Sequence, residues 1–141
     1  MIAATVPAVA PAREHVSRAP RWVLAAATAV AAIAHVPVIA PHLDEAPYMG
    51  VLFIVLTAAC AFLAGAALVR GGRAVSALTV LTCGLAVLGY AATRLVAFPM
   101  LADDVGNWLE PLGVVSIISE SIAVAAAVAA LRGPRRAPSS V

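Results

Sequence analysis

Two apolar runs on either side of a short arginine–glycine turn decide the fold. They are YMGVLFIVLTAACAFLAGAALV (residues 48–69) and AVSALTVLTCGLAVLGYAATRLVAF (residues 74–98), and RGGR (residues 70–73) separates them. Each run is long enough to cross the bilayer as a helix, which takes about 20 residues. Neither run alternates apolar and polar residues as the strand of a membrane barrel does. Because a backbone in lipid must satisfy its hydrogen bonds internally, we predict two membrane-spanning helices.

Two further apolar runs, residues 22–40 and 111–131, bring the number of predicted spans to four. The composition agrees, because 63% of the 141 residues are hydrophobic and 11% are charged, whereas soluble domains carry about 25% charged residues. We therefore predict an all-α polytopic membrane protein, with a four-helix transmembrane bundle at residues 21–131. Proline-containing segments 1–20 and 132–141 are predicted to be disordered tails.

The arginines predict the orientation of this bundle. There is no lysine, and all the arginines except Arg94 lie in three segments: before the first span, between the second and third, and after the fourth. The other two loops carry acidic residues and no arginine. Under the positive-inside rule the arginine-bearing segments are cytoplasmic. We therefore expect both termini in the cytoplasm and a multi-pass protein of the bacterial plasma (inner) membrane.

Two charges fall inside the predicted spans. Glu120 lies about 13 Å from the outer end of the fourth span, and Arg94 about 6 Å from the outer end of the third. Tyr90 precedes Arg94 by one helical turn, and Ser116 precedes Glu120 by one turn. These four residues are predicted to form one intramembrane polar site between the third and fourth spans.

Three interpretations of these charges stay open. Arg94 and Glu120 form an ion pair that fixes helix packing, or they belong to a working proton or substrate site. In the third interpretation Arg94 turns outward to Asp103 or Asp104 and leaves Glu120 neutral.

His35 lies in the first span near the depth of Arg94, and it joins the same predicted polar site. Pro37 and Pro41 follow it, and each removes a backbone donor, so we expect the first span to kink or loosen there. Imidazole and carboxylate groups suit divalent transition metals. The candidate metal ligands near this outer mouth are His35, His42, Asp44 and Glu45. A structural histidine and a pH-sensitive proton relay are the alternatives.

The second outer loop predicts where the fourth span begins. Glu110 precedes Pro111, and a negative charge before a proline suits the first turn of a helix. Together with Pro41–Tyr48, the stretch Asp104–Gly113 resembles small four-span membrane proteins of actinobacteria to which no function is assigned. The resemblance covers residues 20–131; it implies a four-span membrane fold, and it transfers neither an activity nor a site.

These features together predict a small accessory or transport-related membrane protein with a polar site that opens to the extracytoplasmic face. One alternative is a structural subunit of a membrane complex. Another is a membrane-embedded enzyme that uses Glu120 as acid or base, although no nucleophile or cofactor motif accompanies it. The expected partners are the lipid bilayer and other membrane proteins or further copies of the chain. We predict no cofactor, no nucleic-acid binding and, on balance, no enzymatic activity.

Overall fold

Four long helices make up the fold. The computed structural model describes residues 19–133, and in that range α1 is Ala19–Glu45, α2 is Pro47–Val69, α3 is Arg73–Leu95 and α4 is Pro111–Arg132. A single short 3-10 helix, Ala102–Asp104, lies in the α3–α4 connection. All four long helices are long and apolar enough to cross a membrane. The prediction of an all-helical fold with four long apolar helices is confirmed. Most of the two predicted tails lies outside the described residues. Residues 19, 20 and 132, which the sequence prediction assigns to the tails, belong to α1 and α4 instead.

The helices are arranged in a ring in which each contacts the next and α4 closes against α1. Hydrogen bonds fix which ends meet: Arg21, at the start of α1, donates from Nε to the carbonyl of Ala67, 3.2 Å away near the end of α2. Arg73, at the start of α3, donates to the carbonyl of Leu131 at the end of α4, with a distance of 2.7 Å. Adjacent helices therefore run antiparallel.

We call the end of the bundle with Arg21, Arg70, Arg73 and Arg132 the arginine end. The opposite end, which carries the α1–α2 and α3–α4 connections, is the acidic end. At the arginine end Gly71 and Gly72 take positive φ angles of 58° and 101°. Glycine adopts this conformation at little cost, so the α2–α3 turn needs only three residues.

Large apolar side chains cover the outside of the bundle. Ile33, Phe62, Leu88 and Val69 are between 66% and 80% exposed. Small residues occupy much of the interior instead, among them Ala31, Ala67, Ala123 and Ala127. An apolar exterior around a core of small and polar residues is what lipid-facing helices require, because lipid supplies no drive to bury large apolar groups.

Two helix boundaries differ from the sequence prediction. α1 continues through Pro37 and Pro41 to Glu45, five residues beyond the predicted end of the span. α3 ends at Leu95, three residues early, and Val96 is already extended. Pro99 explains this early end in part, because a proline disfavours helical geometry in the residue before it. The later end of α1 and the earlier end of α3 both affect which polar residues come into contact.

Candidate functional site

Three buried polar residues of α1 and α4 lie together in the bundle. His35 is 4% exposed, Ser116 7% and Glu120 1%. His35 Nε2 lies 3.6 Å from Glu120 Oε1 and 3.3 Å from Ser116 Oγ. We call His35, Ser116 and Glu120 the inner trio. Glu120 is therefore opposite a histidine of the first helix, and not opposite Arg94.

The hydrogen bond at the other ring nitrogen assigns the tautomer of His35. Nδ1 lies 2.6 Å from the carbonyl oxygen of Ala31, one turn earlier in α1. A carbonyl only accepts hydrogen bonds, so Nδ1 carries a proton. In the neutral ring Nε2 is consequently an acceptor, and it faces the Glu120 carboxyl group. A proton between the two groups then resides on Glu120 as a carboxylic acid or on His35 as an imidazolium.

Glu120 retains unused hydrogen-bonding capacity. Its Oε1 is buried and has no hydrogen-bond partner among the described residues. The nearest thiols belong to Cys60 of α2 and Cys83 of α3, which lie beside one another in the core, and both cysteines are free. A buried polar atom without a partner costs roughly 1–3 kcal/mol.

A second polar group surrounds Arg94 at the acidic end. Arg94 Nη1 lies 2.5 Å from Asp104 Oδ1 and donates to the backbone carbonyl of Asp104 at 3.2 Å. The guanidinium also lies over the Tyr90 ring, 4.7 Å from its centroid, in the geometry of a cation–π contact. We call Tyr90, Arg94 and Asp104 the Arg94 cluster. Of the three interpretations offered by the sequence, the geometry is that of Arg94 turned to Asp104.

The early end of α3 produces this pairing. The chain leaves the helix after Leu95 and folds back, so that the Gly106 amide donates to the Arg94 carbonyl at 2.9 Å. The 3-10 helix then holds Asp104 over the end of α3. Tyr90 is tied to the same loop, because its hydroxyl donates to the Trp108 carbonyl at 2.9 Å. The predicted single polar site is thus divided into an inner trio and an outer cluster.

The four candidate metal ligands are not brought together. Among residues 21–133, no three His, Cys, Asp or Glu side chains are placed to hold a metal ion. Because α1 stays helical, His35 and His42 lie two turns apart, and the ring of Phe53 contacts both, with centroids 5.5 and 4.8 Å away. Nδ1 of His42 is occupied by the Val38 carbonyl at 2.7 Å. Asp44 and Glu45 are exposed.

One cavity of about 680 Å³ joins the two polar groups. Its lining includes all five residues of the predicted intramembrane site, namely His35, Tyr90, Arg94, Ser116 and Glu120. The rest of the wall is mostly apolar and comes largely from α2 and α3, which make the least extensive contact of the neighbouring pairs. The volume is in the range that accommodates a drug-sized molecule.

The start of α4 also lines the cavity, through Glu110, Leu112 and Gly113. The Glu110 carboxylate accepts hydrogen bonds from the amides of Leu112, 3.1 Å away, and Gly113, and Pro111 is the first residue of the helix. This is the predicted start of the fourth span, and it is confirmed. Glu110 also lines the cavity together with Asp104.

Comparison with known proteins does not assign the chain to a family. No protein-family model, no curated protein and no solved structure matches it. The fold and site define a bundle of four long apolar helices with a mostly apolar cavity, whose lining includes the inner trio and the Arg94 cluster.

Proposed function

We propose that this chain is a transport-related membrane protein, which admits a small solute from the extracytoplasmic face to a site within the bilayer. The observation that carries the proposal is the cavity that connects the buried inner trio with the Arg94 cluster at the acidic end. Ionisable groups inside a membrane are costly and mark solute or proton paths. The orientation follows from the arginine distribution under the positive-inside rule.

The inner trio supports a working site better than a structural role. A pair that only fixes helix packing needs its polar atoms satisfied, because half-satisfied buried networks are worse than an apolar contact. Glu120 Oε1 and the Nε atom of Arg94 are both buried without a hydrogen-bond partner in residues 21–133. Water or a solute that enters the cavity supplies such partners. In a structural subunit, by contrast, we expect no water or solute to reach the inner trio.

Cysteine accessibility distinguishes the two alternatives. In a background with Cys60 and Cys83 replaced by alanine, Ser116→Cys places a thiol in the cavity lining. Ser121→Cys is the matched control, because Ser121 lies on the same helix and is exposed on the outside of the bundle. A membrane-impermeant methanethiosulfonate added to intact cells should modify Ser116→Cys and not Ser121→Cys, because the reaction requires a thiolate in water. An unreactive Ser116→Cys in both intact cells and inverted vesicles would favour the structural subunit.

A further inference from the structure

We infer that the solute is an amphipathic organic cation, whose charge lies against Glu120 and whose apolar body occupies the space between α2 and α3. This inference rests on the proposed function and specifies the substrate class of the same cavity. Three features support it: the hydrogen-bonding character of the floor, the charge of the lining and the position of the apolar wall.

The floor of the cavity offers acceptors. Because the Nδ1 proton of His35 is held by the Ala31 carbonyl, Nε2 of the neutral ring is an acceptor, and the Ser116 hydroxyl lies 3.3 Å from it. Glu120 Oε1 is an unpartnered carboxyl oxygen in a side chain that is 1% exposed. A site of this kind is complementary to a positive charge or to a proton, and it repels an anion.

The lining is acidic as a whole. Among the described residues that line the cavity, Arg94 is the single arginine, against the three carboxyl groups of Asp104, Glu110 and Glu120. Arg94 is already neutralised by Asp104 at 2.5 Å, so it is not free to hold an anionic ligand. Asp44, Glu45 and Asp103 add exposed negative charge at the same end of the bundle. This exposed charge attracts cations to the acidic end through its sum, so that any single one of these screened residues contributes little.

The wall between α2 and α3 suits an apolar body. Leu52 and Val55 of α2 and Leu81 and Leu85 of α3 line the cavity, and each is also between 56% and 61% exposed on the bundle surface. The cavity therefore adjoins the lipid-facing side of the seam between these helices. The ring of Phe53, which also lines the cavity beside His35, provides a π-face for a cation.

Binding of the cation should displace the proton of the inner trio. The cation binds the Glu120 carboxylate, and the proton that Glu120 and His35 hold between them leaves to water, so the site exchanges one positive charge for another. The groups that face Glu120 are His35 on α1, Cys60 on α2, Cys83 on α3 and Ser116 on α4. Of these side-chain types, histidine is the one whose ordinary pKa lies near neutral pH.

Two hydrophobic ions of the same shape test the inference. Tetraphenylphosphonium and tetraphenylborate differ chiefly in the sign of their charge, so binding of each to the purified full-length protein in a nonionic detergent isolates the electrostatic contribution. We expect the cation to bind at least tenfold more tightly than the anion at pH 8. Its affinity should fall at least threefold at pH 6, because protons then compete for Glu120.

Glu120→Gln should weaken binding of the cation at least tenfold. Glu45→Gln, the same chemical change on an exposed acid outside the cavity lining, should leave it within twofold. If Glu120→Gln does not fold, protection of Ser116→Cys gives the same information: the cation should slow its modification, and the anion should not.

The outcomes separate the two proposals. Equal binding of the two ions, or tight cation binding that Glu120→Gln does not change, would overturn the inference and leave the proposed function in place. Modification of Ser116→Cys by the impermeant reagent, in a protein that does not bind the cation, would likewise overturn the inference and leave the proposed function in place. Absence of both reactivity and binding would overturn the proposed function as well.

Discussion

His35 and Glu120 face one another across the interface of α1 and α4, with Nε2 and Oε1 separated by 3.6 Å. Each is almost fully buried, and Ser116 lies against the same ring nitrogen at 3.3 Å. The two residues are 85 positions apart in the chain, so their meeting is a property of the bundle. It places an acid and a base in the lining of the cavity that also contacts the Arg94 cluster at the acidic end.

The inner trio should show energetic coupling. His35→Leu and Glu120→Leu should each lower the free energy of unfolding by about 1–3 kcal/mol, because each leaves a buried polar group without its neighbour. The double variant should lose less than the sum of the two, by about 0.5 kcal/mol or more. Detergent-solubilised protein unfolded by heat or sodium dodecyl sulfate and followed by circular dichroism gives these values. Ser121→Leu is the control and should cost little, since Ser121 is exposed. Strictly additive losses would contradict the contact.

Arg94 should couple to Asp104 and not to Glu120. Asp104→Asn removes the carboxylate from a guanidinium whose side chain is 7% exposed, so we expect a loss of about 1–3 kcal/mol. Asp103→Asn, at the exposed neighbouring position, should change stability little. In double-variant cycles Arg94→Met and Asp104→Asn should be non-additive, whereas Arg94→Met and Glu120→Gln should add to within about 0.5 kcal/mol. Additive losses for Arg94 with Asp104, together with non-additive losses for Arg94 with Glu120, would show instead that Arg94 pairs with Glu120.

The acidic end should face the outside of the cell. In the background without native cysteines, Ala102→Cys and Glu45→Cys lie at exposed positions of the acidic end, and Ala74→Cys lies at an exposed position near the arginine end. An impermeant maleimide added to intact cells should label the first two only, because arginine-rich segments stay in the cytoplasm. Ala46 is not a useful probe, since it is fully buried in the α1–α2 connection. Labelling of Ala74→Cys in intact cells, with the other two protected, would invert the orientation.

A pair of glycines in α2 should respond oppositely to alanine. A Cβ at Gly50 would lie 2.7 Å from the backbone nitrogen of Leu43, too close for the end of α1 to stay in place. Gly50→Ala should therefore lower the thermal midpoint. Gly65→Ala meets nothing within 4 Å, and it reduces the backbone entropy lost in the helix by roughly 0.5–1 kcal/mol. It should leave the midpoint unchanged or raise it. Equal midpoints for the two variants would show that α1 and α2 are not packed this closely.

Local signals predicted the elements well where hydrophobicity and turn chemistry agree. Four apolar runs gave four helices, and Glu110 followed by Pro111 gave the start of α4. The apolar run predicted an end of the first span at Ala40, and Pro37 and Pro41 predicted a kink or a loosened helix near it. The helix continues instead to Glu45. Counted from that end, His35 lies about 15 Å deep, close to the about 13 Å of Glu120. The depth that matches His35 to Glu120 therefore follows only once the structure shows where α1 ends.

The sequence by itself determined the helical class, the four long apolar helices and the set of polar residues, because these depend on composition and on runs of neighbouring residues. All five residues of the predicted intramembrane site do line one cavity. Only the tertiary structure decided how they pair. Arg94 lies with Asp104 because the chain after Leu95 folds back over α3, and Glu120 lies with His35 because α4 closes the ring against α1. Pairing between helices depends on their order around the bundle and on where each one ends, and no local pattern of residues encodes either.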